Sequence, residues 1–406
     1  MNCRYCKKPL NHVLIDLGNS PPSNSFLTEL QLNEPETFYP LKIFVCDSCF
    51  LVQIDEFKRH DEIFSADYAY FSSYSQSWLM HCRNFAGLIR RRLSLGPQSL
   101  VLEIASNDGY LLQYFKEDGI PVLGIEPARN TAFEAIQKGI QTRVEFFTEK
   151  AAFELCREGL QADLLVGNNV LAHVPDINDF VSGMKLVLKP GGTITMEFPH
   201  LMKLISGNQF DTIYHEHFSY LSLTTVSRIF SSHGLTIFDV DELPTHGGSL
   251  RIYAAHSGNC QLSSRYNDLL NREEKEGMSD PDYYRGFQAQ ADSVKNELLS
   301  FLIDAKKSRK TVAAYGAAAK GNTLLNYCGI KRDLISYVVD KSPHKIGKFL
   351  PGSHIPVMSE DEIRKTKPDL ILILPWNLSD EIMSQLGYIG EWEGKFVKPI
   401  PKLEVL

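Results

Sequence analysis

Short apolar runs alternate with amphipathic segments through the middle of the chain, from about Gln98 onward. Four of these runs have the length and continuity of buried strands: SLVLEIAS, PVLGIEP, DLLVGNNVLAH and TITMEFP. Three intervening segments are predicted helices: YLLQYFKEDG, residues 131–138, and NDFVSGMKLVLKPGG, which Pro-Gly-Gly closes. This alternation predicts a parallel, doubly wound α/β sheet, which binds ligands at the carboxyl ends of its strands.

A second alternation of strand and helix follows a charged stretch in the last third of the chain. The stretch NREEKEGMSD and the amphipathic FQAQADSVKNELLSFLIDAKKS predict a long helical connector whose charges mostly face solvent. TVAAYGAAAKGNTLLNYCG then has the order strand, small-residue turn and helix, and ISYVVDKS and DLILILPW are predicted strands. The pattern predicts a second, smaller Rossmann-like α/β sheet.

Four of the eight cysteines form two C-x2-C pairs near the start of the chain, Cys3 with Cys6 and Cys46 with Cys49. Two such knuckles complete a tetrahedral sulfur shell, which favours a structural zinc ion over the less frequent iron–sulfur cluster. The 39 residues between the pairs require an inserted hairpin or small sheet. The remaining cysteines are predicted to be small core residues: Cys82, Cys156, Cys260 and Cys328.

Length and charge limit the architecture and the partners. A chain of 406 residues has room for three domains, which we expect at 1–75 (zinc-binding), 76–268 (central sheet) and 269–406 (C-terminal sheet). Lys and Arg total 42 against 49 Asp and Glu, so the acidic balance argues against a nucleic-acid partner. No apolar window approaches a membrane span and the N-terminus has no apolar signal segment, so we expect a cytoplasmic protein without membrane contact.

Polar residues at the carboxyl ends of the first two strands indicate what the central sheet binds. Glu103 ends the first strand, and Glu126 ends the second 23 residues later, where a carboxylate accepts ribose hydroxyls. The turn after the first strand contains Ser106, Asn107, Asp108 and Gly109. Because this turn lacks the G-x-G pattern of a pyrophosphate loop, it favours a cationic nucleoside such as S-adenosylmethionine (SAM). An NAD-type domain with two turn acids is the alternative.

Several segments together resemble the sugar C-methyltransferases of deoxysugar biosynthesis, which act on nucleotide-linked 4-keto-6-deoxyhexoses. Besides the two cysteine pairs, the resemblance rests on EIASNDGYLL, GIEP, GNNVLAHVPDINDF, LKPGGTITMEFP, FDTIYHEHFSYLSL, PTHGGSLRIY, AAYGAAAKGNTLLNY and VVDKSPHKIGKFLPGSHIPV. It therefore spans nearly the whole chain in the order of the family. One departure is Ala105, at a position that members of this family more often fill with glycine.

The segment DTIYHEHF, residues 211–218, concentrates groups that can remove a proton next to a ketone. An imidazole suits the role of base because its unperturbed pKa lies near ~6.5. From residue type alone, core packing of these histidines is equally well supported. A metal site is less well supported, because His215 and His217 lack a third ligand nearby. The resemblance implies that His217 is the general base, beside Tyr214 and Glu216.

Further candidates flank the same region. The resemblance places His173 near the reacting centre and Tyr68 over the substrate as a lid, although packing between domains is the alternative for Tyr68. It also places Asn168 and Asn169 near the cofactor or the sugar. The turn His246, Gly247 and Gly248 permits close approach of the main chain to a ligand, or else marks a loop bend.

A small-residue turn in the C-terminal domain is a candidate phosphate site. Gly316, Lys320 and Gly321 place main-chain N–H groups and one ammonium at the start of a predicted helix, which is a natural seat for phosphate. A tightly packed Ala-rich turn is the alternative. The resemblance implies that this domain holds the nucleotide diphosphate, with Asp340 and Lys341 at the same sheet edge.

We therefore predict a SAM-dependent C-methyltransferase that acts on a nucleotide-diphospho 4-keto-6-deoxy sugar, with a structural zinc ion. By the resemblance, the methylated carbon is C-3, next to the ketone. No segment identifies the base, which can be thymidine, guanosine or cytidine; thymidine diphosphate (TDP) is the nucleotide we expect. We expect a monomer. The alternatives are an NAD-dependent nucleotide-sugar epimerase or dehydrogenase, and a zinc-bearing protein that binds nucleic acid or another macromolecule.

Overall fold

The described residues form three β-sheets and the helices packed against them. The computed structural model describes residues 1–57, 59, 71–258 and 260–406. Tyr68, predicted as a lid residue, lies outside the described residues. The strands are β1 His12–Ser20, β2 Tyr39–Val45, β3 Val52–Ile54, β4 Val101–Ile104, β5 Val122–Ile125, β6 Thr142–Arg143, β7 Ala162–Asn168, β8 Leu188–Pro199, β9 Ser219–Tyr220, β10 Leu235–Leu243, β11 Ser249–His256, β12 Val312–Tyr315, β13 Val338–Val339, β14 Val357–Met358, β15 Leu370–Ile373, β16 Lys395–Lys398 and β17 Glu404–Val405.

The α-helices fall between these strands. They are α1 Gln76–Leu93, α2 Leu112–Glu117, α3 Arg129–Gln137, α4 Glu149–Arg157, α5 Ile177–Val187, α6 Leu201–Ser206, α7 Leu223–Ser232, α8 Ser264–Lys275, α9 Phe287–Lys307, α10 Ala319–Cys328, α11 Asp361–Thr366 and α12 Ser379–Gln385. Within the described ranges, none of them combines the length and the apolar character needed to cross a bilayer.

The first sheet has the order β1-β2-β3-β9 and is antiparallel. The predicted hairpin between the two cysteine pairs is confirmed, because β1 and β2 pair with each other and lie between Cys6 and Cys46. Its fourth strand comes from far along the chain: Val52 pairs with Tyr220 and Gln53 with Ser219. The first sheet, whose strands adjoin the two cysteine pairs, is therefore hydrogen-bonded directly to the segment that carries His217.

The central sheet has the order β10-β11-β8-β7-β4-β5-β6. Strands β4 to β8 are parallel to one another, as the alternation of strands and helices predicts, and β11 runs antiparallel to both of its neighbours. Strand β4 is buried at every position, Glu103 included, which explains why its other three residues are apolar. The strand order reverses between β4 and β7, so the carboxyl ends of these two strands border the crevice in which such sheets bind ligands.

The C-terminal sheet has the order β14-β13-β12-β15-β16-β17, parallel except for the last strand. The second α/β sheet is thus confirmed. The predicted helical connector is also present as α9, whose buried residues recur along one face: Phe287, Ala291, Val294, Leu298, Leu302 and Ala305. Here the order reverses between β12 and β15, so a second crevice lies at the carboxyl ends of those strands.

The helix after β7 is shorter than predicted. It ends at Val187 and β8 begins at Leu188, so LKPGG belongs to a strand rather than to the end of a helix. Pro190 has no main-chain N–H group and cannot extend a helix. Leu188 instead pairs with Ala162 at the start of β7.

Burial differs from the sequence prediction at three positions. In the charged stretch predicted to face solvent, Glu273 is fully buried. Its carboxylate accepts the main-chain N–H groups of Leu223 and Thr224, both at 2.7 Å, and so caps the start of α7. Cys156 and Cys260, predicted to be core residues, are only half-buried. No periodicity distinguishes a charge that caps a distant helix from one that faces water.

Candidate active site

The two C-x2-C pairs fold in the same way. The main-chain N–H of Lys7 donates to the Cys3 carbonyl at 2.9 Å, and that of Phe50 donates to the Cys46 carbonyl at 2.8 Å. Lys7 and Phe50 also share a left-handed backbone, with φ values of 62° and 61°. Each pair is therefore a tight turn that directs both of its sulfur atoms to the same side.

The four cysteine sulfur atoms form one cluster, with every pair within 4.8 Å. The Cys3 and Cys49 sulfurs are 3.5 Å apart, and those of Cys6 and Cys46 are 3.4 Å apart. A tetrahedral zinc site with Zn–S bonds of 2.3 Å has sulfur–sulfur edges of about 3.8 Å, so the cluster fits Zn²⁺. Gln53 donates its side-chain N–H to the Cys3 sulfur at 3.2 Å, and the hydrogen bonds with Cys49 and, to a lesser extent, Gln53 lower the pKa of the Cys3 thiol. These four sulfurs would hold the ion, and no ligand position is left open.

The turn after β4 has an unusual backbone. Ala105, Asn107 and Gly109 all have positive φ, at 56°, 48° and 75°. Asn and Gly adopt this conformation readily, whereas for alanine it costs about 1 kcal/mol. A glycine, which the resemblance to the sugar C-methyltransferases leads one to expect at the position of Ala105, would avoid this cost. A Cβ on Gly109 would collide with the Ile140 side chain, so here the glycine permits packing as well as the turn.

Two buried carboxylates border the crevice of the central sheet. Glu103 is fully buried, and burial together with the nearby charges of Glu126 and Asp108 raises its pKa well above its usual value. Glu126 accepts the main-chain N–H groups of Asn107 and Ala128, each at 2.8 Å, and burial raises its pKa to about 7. The Glu126 carboxylate is thereby fixed at the end of β5, where a ribose would lie.

Buried polar atoms at the same sheet edge lack partners. Ser106 Oγ and Asp108 Oδ1 are buried and accept or donate no hydrogen bond within the described residues. Buried polar atoms are normally paired, so these two indicate a polar ligand in the crevice. Asn168 is buried at the carboxyl end of β7 and borders the same space. The donor and charge pattern fits SAM, which offers an ammonium group and ribose hydroxyls and carries no phosphate.

His217 lies in a cluster of aromatic rings at the edge of this crevice. Its ring centroid is 4.0 Å from that of Tyr214 and 4.7 Å from that of His173. His217 Nδ1 donates to the Thr212 carbonyl at 2.8 Å, so Nε2 is the basic nitrogen. Burial and the neighbouring His173 lower the pKa of His217 well below its usual value. Burial lowers the pKa of His173 to about 4, while its imidazole bonds the Glu216 main chain.

The other two residues of the H-E-H motif face the first sheet, the one next to the cysteine pairs. The Glu216 carboxylate accepts the side-chain N–H of Asn24 at 2.7 Å, and His215 donates to the Pro40 carbonyl at 3.2 Å. Of the described residues, only the four cysteines form a cluster that could hold a metal ion. The structure therefore separates His217 from its two neighbours, and the metal alternative for this motif gains no support.

The predicted turn at residues 246–248 lies over the same site. His246 Nε2 is 3.2 Å from Asn169 Nδ2, and its ring centroid is 5.3 Å from that of Trp78. Thr245 donates to the Glu197 carboxylate at 2.9 Å, which fixes the turn to strand β8. Burial lowers the pKa of His246 to about 4.

The C-terminal domain closes the site from the other side. Lys320, on the first turn of α10, donates to the Asn377 side-chain oxygen at 2.7 Å and lies 4.8 Å above the Trp376 ring. Trp376 in turn donates its indole N–H to Asp211 at 2.7 Å. Burial raises the pKa of Asp211 to about 6, although Lys320 and the Trp376 hydrogen bond oppose the shift. The crevice of the second sheet therefore faces the cluster around His217.

The remaining predicted phosphate contacts are arranged differently. The Asp340 carboxylate accepts the main-chain N–H of Ala317 at 2.8 Å, so one donor of the turn between Gly316 and Gly321 is already bound. Lys341 is exposed. The structure thus brings Lys320 to the cluster around His217, and places Asp340 and Lys341 along the edge of the second sheet.

Sequence reasoning missed Asp211, Trp376 and Asn24 as parts of this site. Asp211 stands in the segment that carries the predicted base, and Trp376 follows the predicted strand DLILILPW. In the second sheet the sheet-edge rule was applied only as far as Asp340 and Lys341, and applied to the following strand it would have found Trp376. Asn24 lies in the β1–β2 connection, where no sequence pattern marks it.

The assembled site suits proton removal at carbon. It joins a neutral imidazole in a fixed tautomer, a tyrosine, and an ammonium group, next to a crevice that fits a cationic nucleoside. Such a set can take a proton from a C–H group and stabilise the oxyanion that forms.

Comparison with protein families assigns a segment of the chain to each of three family models. Residues 3–64 match a zinc binding domain, residues 79–240 match a methyltransferase domain, and residues 244–401 match a C-methyltransferase C-terminal domain.

Individual proteins of known sequence or structure are also similar to this chain. The chain is 34% identical over 406 residues to the C-methyltransferase NovU of Streptomyces niveus, covering 100% of this chain and 96% of that protein. It is 29% identical over 98 residues to the ubiquinone biosynthesis O-methyltransferase of Escherichia coli O7:K1, covering 23% of this chain and 40% of that protein. Among solved structures, magnesium protoporphyrin IX methyltransferase from Synechocystis PCC 6803 with bound SAM matches with a TM-score of 0.34 and 15% identity. That match covers 44% of this chain and 79% of that one.

Proposed function

The chain belongs to the C-methyltransferase family, and on that premise we propose that its substrate is a nucleotide-diphospho 4-keto-6-deoxy sugar. The protein is a SAM-dependent methyltransferase with a zinc-binding N-terminal module. This membership replaces the NAD-dependent epimerase considered from the sequence. The methylated carbon in this proposal is C-3, beside the ketone at C-4, the nucleotide is TDP, and the chain acts as a monomer in the cytoplasm. The proposed domains are 1–75, 76–268 and 269–406.

The observation that carries the proposal is the tautomer and the neutral charge of His217. Its hydrogen bond to the Thr212 carbonyl fixes the proton on Nδ1 and leaves Nε2 free to accept one. Because burial lowers its pKa, the imidazole is neutral at pH 7 and competent as a base. A carbon next to a ketone is the kind of carbon acid that such a base can deprotonate once the enolate oxygen is stabilised.

The proton moves as follows. His217 Nε2 takes the C-3 proton, the C–H bonding pair forms the C-3–C-4 double bond, and the carbonyl π pair moves to oxygen. Tyr214 and His173 lie against the base, and in this proposal they contact the sugar and the enolate. After methyl transfer the ketone re-forms, and the imidazolium at His217 releases its proton to water.

The cofactor crevice would hold SAM beside this centre. Glu126 would accept hydrogen bonds from the ribose hydroxyls. Ser106 Oγ and Asp108 Oδ1, which have no partner within the described protein, would bond polar groups of the cofactor. When bound, SAM supplies a sulfonium methyl group, and the C–S bonding pair leaves on sulfur as the new carbon–carbon bond forms. The Asn24–Glu216 hydrogen bond fixes the segment that carries His217 against the zinc-binding module.

Calorimetric titration tests the pair of ligand sites. The proposal predicts binding of S-adenosylhomocysteine and, at a separate site, of TDP, so that saturation with one leaves the other able to bind. Glu126→Ala should weaken only the first ligand, and the matched surface variant Glu134→Ala neither. Binding of NAD without binding of S-adenosylhomocysteine would contradict the proposal.

A further inference from the structure

Lys320 carries a positive charge that no carboxylate neutralises directly. Among the described residues, no Asp or Glu oxygen lies within ion-pair distance of its ammonium, which contacts the neutral Asn377 oxygen and the Trp376 ring. The carboxylate that acts on its charge is that of Asp211, which lies beyond ion-pair distance and already accepts the Trp376 indole N–H. A half-buried cation without a counter-ion is costly unless an anion arrives.

The residues around Lys320 contact the segment that carries the proposed base. Trp376, on which the ammonium rests, contacts the turn at Gly247 through its ring and Asp211 through its indole. The carbonyl next to Asp211 in the chain, that of Thr212, orients the base His217. The α10 helix that carries Lys320 also bonds this segment directly, because Thr323 donates to the Ile213 carbonyl at 2.8 Å.

The charge of Lys320 acts on two imidazoles at once. It is one of the causes that lower the pKa of His217 and of His246. A base with so low a pKa is weak, and it removes a proton from carbon only if the resulting oxyanion is strongly stabilised. The ammonium that lowers the pKa of the base can therefore also stabilise the oxyanion that forms when the base removes the proton.

We propose that Lys320 is a catalytic residue, whose ammonium hydrogen-bonds the ketone oxygen and stabilises the enolate that His217 generates. This inference rests on the proposed function, and it differs from the role of diphosphate contact suggested by the sequence. The step balances: the C–H bond breaks, its proton goes to His217 Nε2, and the negative charge collects on oxygen beside Lys320. No bond to Lys320 forms or breaks.

Hydrogen exchange at the reacting carbon tests this step without methyl transfer. TDP-4-keto-6-deoxyglucose is incubated in D₂O with S-adenosylhomocysteine and each enzyme, and deuterium at C-3 is followed by NMR at saturating sugar. Lys320→Met should slow exchange about 10²–10³-fold, the loss typical of removing one oxyanion donor. Lys320→Arg, which keeps the charge, should exchange at least about ten times faster than Lys320→Met. The affinity for TDP should change less than about threefold in both.

Lys295→Met is the matched control, because Lys295 is another half-buried lysine, 4.5 Å above the Tyr327 ring. It should exchange within about threefold of the wild type. Unchanged binding of S-adenosylhomocysteine shows that each variant is folded. Normal exchange in Lys320→Met at saturating sugar, with TDP binding weakened tenfold or more, would overturn the inference and assign Lys320 to the diphosphate. Absence of both exchange and methyl transfer in the wild type would instead overturn the proposed function itself.

Discussion

The hydrogen bond between Trp376 and Asp211 joins the C-terminal domain to the segment of the base, and its removal has a calculable signature. Asp211 is fully buried, and its pKa lies about two units above its ordinary value of 3.8. At about 1.4 kcal/mol per unit, ionising it in the folded protein costs about 3 kcal/mol. Because the folded pKa is the higher one, this cost appears as the pH rises from about 4 to 6 and is complete above that range.

Trp376→Phe removes the indole donor at 2.7 Å and keeps an aromatic ring. A hydrogen bond to a charged group is worth about 1.5–3 kcal/mol, and one to a neutral group about 1 kcal/mol. The variant should therefore lose about 1–2 kcal/mol more stability at pH 8, where Asp211 is ionised, than at pH 5, where it is protonated. Loss of ring area adds a further cost that is the same at both pH values.

Urea unfolding followed by circular dichroism at pH 5 and pH 8 measures this difference. Trp392→Phe is the control, because the Trp392 indole donates at 3.0 Å to the carbonyl of Pro368, which does not titrate. Its destabilisation should be the same at both pH values. Equal destabilisation of the Trp376→Phe variant at pH 5 and pH 8 would refute the account of Asp211 as a buried, partly ionised carboxylate.

Three further changes have expected outcomes. His217→Asn should reduce methyl transfer at least about 10²-fold, as loss of a general base does, while calorimetry shows unchanged affinity for S-adenosylhomocysteine; loss of that affinity would mean that His217 is structural. Glu126→Gln should weaken S-adenosylhomocysteine binding about 10-fold or more, since it loses charge-assisted hydrogen bonds to the ribose, and normal affinity would place the ribose elsewhere. Cys46→Ser should abolish the one bound zinc ion per chain, measured by elemental mass spectrometry, and lower the unfolding temperature, whereas retention of the metal would contradict the four-sulfur site.

The sequence identified much of the central sheet for a simple reason. Its strands are buried on both faces, so they read as continuous apolar runs, and its helices separate them regularly. The carboxyl-end rule then located Glu103 and Glu126 at one crevice. The cysteine spacing was similarly informative, because a tetrahedral site imposes two turns of fixed length.

The contacts between domains could not be predicted in the same way. Trp376 and Asp211 are 165 residues apart, and Asn24 and Glu216 are 192 residues apart. Each is an ordinary residue in its own segment, and its role arises only when the sheets dock. Glu273 shows the same limit, since its place within a charged stretch gave no sign that it caps a helix from a different part of the chain.

The roles of the glycine-containing turns also depend on tertiary structure. Gly109 was predicted as part of the turn that binds the cofactor, and its missing Cβ also makes room for Ile140. The turn before α10 suggested a phosphate site, yet Asp340 accepts its Ala317 N–H and the Lys320 ammonium donates to the Asn377 side chain. A glycine-rich turn predicts where the main chain is free to bend, and not what fills the space beside it.

Product analysis with isotopically labelled SAM tests the central claim most directly. The enzyme is incubated with TDP-4-keto-6-deoxyglucose and SAM bearing a trideuterated methyl group, and the sugar is examined by mass spectrometry and NMR. The account predicts a sugar heavier by one labelled methyl group, bonded to C-3, and at least about 10²-fold slower formation of this product with His217→Asn. A labelled methyl group on a sugar oxygen, or no transfer although both ligands bind, would contradict it.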